Sequence, residues 1–192
     1  MIWAIVISAL AAWPPAEAPA ASQANVNTLW DSVQWELLRS ADTFWHGGKY
    51  ERMMRTGFIW MEADPGNLNA YSDTAFILES GLLMYADAEK VHRRAVKALP
   101  NDWKAWHDLV FFLYQWRKDY KQAAKVGEHM LTLSPMPTAY HLVANCYDKA
   151  GDLEKSLATW QRGIDKDPSD ATAKRRYSEV SQLIQERKKG TN

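Results

Sequence analysis

The sequence predicts an all-α protein, an α-solenoid of about four helix–turn–helix units closed by a C-terminal capping helix. Two recurring features and one missing one predict it. Pro65, Pro100, Pro135 and Pro168 recur 35, 35 and 33 residues apart, which is the signature of a repeat. A second break falls midway between them: Gly47-Gly48-Lys49-Tyr50, Ser80-Gly81, Arg117-Lys118-Asp119-Tyr120 and Gly151-Asp152-Leu153. No run alternates strictly between apolar and polar residues, so strands are not expected.

The prolines sit in related punctuation: Asp64-Pro65-Gly66-Asn67, Leu99-Pro100-Asn101-Asp102 and Asp167-Pro168-Ser169-Asp170. Proline cannot continue a helix and biases the residue before it away from the helical region. The following Asn or Asp can then accept hydrogen bonds from the free N–H groups that open the next helix. Ser134-Pro135-Met136-Pro137 is a variant in which Pro137 suits the first helical turn. These signals give units over about 34–67, 68–101, 102–136 and 137–170, with the second and third one residue longer at the mid-unit turn. Residues 171–187 form one more helix, whose Lys174, Arg175, Arg176, Glu179 and Glu186 suit an outer face closing the apolar end of an array. Residues 188–192 are expected to fray.

The N-terminus is different in kind. MIWAIVISALAAW is an apolar run of about 13 residues, against the ~20 that a membrane-spanning helix needs. Ala18-Pro19-Ala20 supplies a small-x-small cleavage pattern, so residues 1–20 are expected to be a signal peptide, although no Lys or Arg precedes Arg39. Residues 21–27 are expected as a linker, and the Thr28/Asp31 pair as the cap that opens the array over 28–187.

The order of residue sizes inside the units carries a resemblance. Small and large residues alternate along helical stripes: Tyr140, Val143, Ala144 and Tyr147, then Ser156, Trp160 and Gly163. The first unit offers Leu37, Ser40-Ala41, Phe44, Tyr50 and Pro65; the second Tyr71, Thr74-Ala75, Leu78, Ala88, Ala95 and Pro100. The third offers Trp106, Leu109-Val110, Leu113, Tyr120, Ala123, Gly127 and Pro135. This pattern resembles the tetratricopeptide repeat over residues 34–168. The resemblance implies a right-handed solenoid whose first helices line a concave groove. In the first unit Met53, Gly57 and Trp60 exchange the large and small sites of the family pattern.

The totals exclude several functions. Lys+Arg and Asp+Glu are both 23, so no net charge draws the chain to nucleic acid. A single cysteine excludes an internal disulfide and a multi-cysteine zinc site. The five His show neither HxH nor HExxH spacing. Cys146 stands near His141 and Asp148, but it lies mid-helix beside core-stripe positions, and a half-buried packing role is the expectation. No cofactor and no catalytic residue are expected.

On the stripe that the resemblance places in the groove, the third unit carries Lys104, His107, Phe111 and Tyr114, and the fourth His141, Asn145 and Lys149. The second contributes Phe76 and the first Asp42. Phe76, Phe111 and Trp45 either pack between neighbouring units or form an exposed aromatic groove suited to a peptide. Some members of the family clamp a C-terminal carboxylate with cations and amides; Asp42, Ser72 and His107 do not reproduce that arrangement. The expected function is a non-catalytic adaptor or scaffold holding a protein or peptide segment, exported to a periplasmic or secreted setting, with no nucleic-acid partner and no stable membrane span. The alternatives are a self-associating envelope subunit, a homo-oligomer meeting through Trp60 and the Trp-rich N-terminal end, and, last, an enzyme accessory domain.

Overall fold

A computed structural model describes the backbone of residues 20–134 and 136–190 and the side chains of residues 28–134 and 136–189. The expected signal segment, apart from Ala20, lies outside the described residues, as do Pro135 and the last two residues. The described elements are all helical: α1 (Ala20–His46), α2 (Tyr50–Ala63), α3 (Leu68–Phe76), α4 (Tyr85–Ala98), α5 (Trp103–Phe112), α6 (Tyr120–Leu133), α7 (Pro137–Ala150), α8 (Leu153–Lys166) and α9 (Ala171–Gly190). The chain divides into two compact units between Ser40 and Ala41, within α1. In the second unit each helix from α2 to α9 packs against the next in chain order.

Helix α1 passes through residues 21–27 and through Thr28, where a linker and a helix start were expected. Ala20, Ala21 and Ala24 favour helix there, and Ser32 Oγ donates to the Thr28 carbonyl within the helix rather than Thr28 capping it. Helix α9 runs on to Gly190 and includes residues 188–190.

The punctuation works as local chemistry dictates. Asn67 accepts a hydrogen bond from the Asn69 amide (3.1 Å), Asp102 from Lys104 (2.9 Å) and Asp170 from Ala173 (2.9 Å), opening α3, α5 and α9. Asp119 and Asp152 cap α6 and α8 in the same way. The proline carbonyls are used as well: Tyr71 Oη donates to Pro65 and Trp106 Nε1 to Pro100. Pro137 opens α7 at its first turn.

The longer second and third units are accommodated in one manner. Helices α3 and α5 each end in a π-helical turn, Ile77–Gly81 and Leu113–Arg117. A π turn widens one hydrogen-bonded loop by a residue, so it absorbs an insertion without changing the register of the next helix. After these turns the chain passes through the left-handed region at Leu83 (φ 56°) and Lys118 (φ 53°), where the first and fourth units use Gly48 and Gly151.

The core runs along the inter-helix seam: Tyr71, Ile77 and Leu78, then Leu109, Phe112 and Leu113, then Val143 and Trp160, ending on Val180 of α9. Helix pairs come close where glycine stands at the contact. A Cβ on Gly127 would lie 2.6 Å from Val143 Cγ2, and one on Gly57 would overlap Thr74.

Candidate interaction face

The first helices of the middle units, α3 and α5, place Phe76 and Phe111 in matching positions, one repeat apart. Both rings are about half exposed, 49% and 48%. Trp45, at the end of α1, is half-buried and packs against Phe76 (ring centroids 5.6 Å) and Tyr50 (5.4 Å). His107 stacks on Phe111 with its ring nearly parallel, 6.4 Å centre to centre. Phe76 and Phe111 are therefore half open to solvent, while Trp45 packs against Phe76 of the next unit.

Between the two phenylalanines opens a pocket of about 200 Å³, lined also by Ser72, Glu79, His92, Asp108 and Phe112. Glu79 Oε1 and His92 Nε2 are 2.6 Å apart, and both side chains are about nine-tenths buried. Ser72 donates to Asp108 Oδ2 at 2.7 Å, while His107 Nδ1 stands 3.5 Å from Oδ1. Burial pushes the Asp108 carboxyl up, but hydrogen bonds from His107 and Ser72 and the nearby His92 outweigh it and hold the group below the usual carboxylate range. Asp108 is therefore an anion at neutral pH. Among the described residues no group of three or more His, Cys, Asp or Glu could hold a metal ion.

The fourth unit is occupied by its own chain. His141 Nε2 lies 2.5 Å from Asp170 Oδ2 and packs its ring on Trp160 (5.2 Å). Arg176 of α9 reaches back to Asp148 (2.5 Å) and sits over the Trp160 ring. Asn145 is half-buried and Lys149 exposed. Lys104 is exposed at the start of α5, and Asp42 is exposed and paired with His46 at 3.3 Å. Tyr114 is half-buried against Tyr120 (5.5 Å), and burial raises its phenol. The row at Phe76 and Phe111 and the occupied end at His141 are thus distinct environments on one stripe.

Cys146 is fully buried, and burial pushes its thiol up to about 12, so no thiolate forms near neutral pH. Trp60, the anchor of the self-association reading, is buried at 6% exposure. Its stripe position turns it inward, so it offers nothing to a second copy. Glu79, His92, Asp108 and the role of Ser72 were not legible in the sequence. Glu79 sits in an apolar stretch, and its partner lies 13 residues away on the next helix. The one local sign is His92, which stands where Trp160 stands in the fourth unit.

Solved structures decide the fold. MamA from Desulfovibrio magneticus RS-1 (residues 41 to the end) superposes with a TM-score of 0.60 at 21% identity, covering 81% of this chain and 87% of that one. TTC0263, a thermophilic tetratricopeptide-repeat protein of Thermus thermophilus, gives 0.54 at 19% identity, over 74% of this chain and 78% of that one. The fold is the tetratricopeptide-repeat solenoid. YrrB, a tetratricopeptide-repeat protein with an unusual peptide-binding site, gives 0.58 at 17% identity, over 78% and 76% of the two chains. No protein-family model and no curated protein sequence matches the chain. In this tetratricopeptide-repeat solenoid the open aromatic row lies on α3 and α5, the first helices of the middle units, and α9 closes the last one.

Proposed function

We propose that the chain is a non-catalytic adaptor that holds a peptide segment of a partner protein along the row Trp45, Phe76, Phe111 and His107. The observation that carries this reading is the pair of half-exposed phenylalanines in matching repeat positions. Large aromatics left open in a row at regular spacing mark interaction surfaces, because a ring held in water loses the burial it would gain under a ligand. Phe76 and Phe111 have that spacing, and the helices that carry them are packed on both sides by their neighbours. The peptide-binding site of YrrB, on a similar fold, is consistent with such a use.

The setting we propose is an exported one. Its support is the apolar run of about 13 residues followed by Ala18-Pro19-Ala20. Among the described residues no helix is long and apolar enough to cross a membrane.

Selection from a displayed peptide library tests the groove. The wild-type chain is expected to enrich a peptide family, and Phe76→Ala/Phe111→Ala to bind those peptides at least about tenfold more weakly, as loss of aromatic anchors does at interfaces. Equal affinities for wild type and double variant remove the groove assignment. N-terminal sequencing of the mature protein tests export: a chain beginning at Ala21 supports it, and one beginning at Met1 overturns it.

A further inference from the structure

We propose that the pocket between Phe76 and Phe111 receives one cationic side chain, arginine or lysine, of the bound segment. This rests on the groove reading above and goes further, since it names the chemistry of one ligand position.

Size, charge and walls agree on this occupant. The cavity of about 200 Å³ is smaller than the ~300–1,000 Å³ typical of small-molecule sites, so it suits one side-chain head. Two carboxylates line it, Glu79 and Asp108, and no Lys or Arg does. Among the described residues the ion-pair partners of these carboxylates are imidazoles only, His92 for Glu79 and His107 for Asp108. Asp108 is held as an anion, and Ser72 fixes its orientation. An apolar plug would take the partly exposed Asp108 carboxylate out of water with nothing in return, and an anion would be repelled. A guanidinium or ammonium would instead gain charge-assisted hydrogen bonds. The rings on either side, Phe76 and Phe111, supply aromatic surface that suits a cation and its aliphatic stem.

The experiment uses peptides selected by the full chain from a random ten-residue library, resynthesised with citrulline or acetyl-lysine in place of each Arg or Lys. Fluorescence anisotropy then compares wild type, Asp108→Asn, Glu79→Gln and Phe111→Ala. Circular-dichroism melts verify that each variant is folded. The expected result is a basic residue enriched at one fixed position, whose neutral replacement weakens binding to wild type about tenfold, in line with loss of a charge-assisted contact. Asp108→Asn should lose the same factor for the basic peptide and little for the neutral one, so the two changes are coupled. Phe111→Ala should weaken both peptides. Binding that depends on Phe111 but is indifferent to citrulline overturns the cation pocket and leaves the groove standing. Absence of any Phe111-dependent binding removes the groove and the pocket together. The citrulline comparison on wild type alone decides the matter if the acidic variants do not fold.

Discussion

At Lys118 the backbone sits at φ 53°, ψ 25° immediately after a π turn, in a conformation that an L-residue adopts at a penalty of about 1–2 kcal/mol. Replacement by glycine removes that penalty but loosens the unfolded chain, which offsets about 0.4–1 kcal/mol of the gain. Lys118 is exposed, so no packing is lost. Lys118→Gly is therefore expected to stabilise by about 0.5–1 kcal/mol, read as a higher urea midpoint with an unchanged slope. Asp170 bears the opposite prediction. Its carboxylate accepts from the Ala173 amide, which lowers its pKa first, and burial works against this; His141 lowers it further. A depressed carboxylate stabilises the fold above its unfolded pKa, and the contribution disappears as pH falls through the lower folded value. Asp170→Ala should lose about 1 kcal/mol at pH 7, as loss of a helix cap does, and the difference from wild type should vanish in melts run well below pH 4. A difference that persists in strong acid would show that the cap acts through shape and not charge.

Among the helices, large and small residues trade places from unit to unit. The second and fourth units put a large ring eight residues before the proline and a small residue five before it: His92 with Ala95, Trp160 with Gly163. The first and third reverse this, with Gly57 before Trp60 and Gly127 before Met130. The glycines at the earlier site touch the next unit's first helix, at Thr74 and Val143, so alternate seams are built on close approach. Alanine is the better helix former by about 1 kcal/mol, yet Gly127→Ala is expected to destabilise by about 1–3 kcal/mol net, because its methyl would drive into a stiff, fully buried valine. Val143→Ala in the same chain should make the added methyl nearly harmless, a coupling that denaturation of the four-member cycle measures. What could be read from the sequence at this scale was local chemistry. Asn67, Asp102 and Asp170 as caps follow from their positions after proline, and the extra residue in the second and third units appears as a π turn where spacing located it. What could not be read was pairing across helices. Ser72 meets Asp108 36 residues away, and His141 meets Asp170 at 29. Nothing in a helical stripe distinguishes an open rung such as Phe111 from one already taken such as His141.

Over the second unit of the molecule, each helix from α2 onward rests on its neighbours in chain order, so stability is expected to follow nearest-neighbour terms rather than one shared core. The end of the array then depends on α9. Ala173 and Val180 close over Ala144, Leu153 and Trp160, with Leu157, Ile164, Tyr177 and Ile184 packed around them. Polar contacts fix the same helix: Arg176 to Asp148, and Asp170 to His141. The capping role was legible from the polar outer face of residues 171–187; that the cap engages His141 and Asp148 of α7 was not, because both partners lie beyond the unit's own helices. Val180→Asp puts a carboxylate at a position 1% exposed and forfeits the ~1.5–3 kcal/mol of burying the valine, with a further penalty for the buried charge. Helix α9 should undock, and hydrogen exchange should then speed up in α7 and α8 by at least tenfold while α3 and α4 keep their protection. His141 and Asp148 should become accessible at the same time, which faster acylation of the His141 ring by diethyl pyrocarbonate would register. Equal acceleration from α2 to α8 would instead mean that the array unfolds as one block, and that the occupied fourth unit and the open row at Phe76 and Phe111 are energetically one surface.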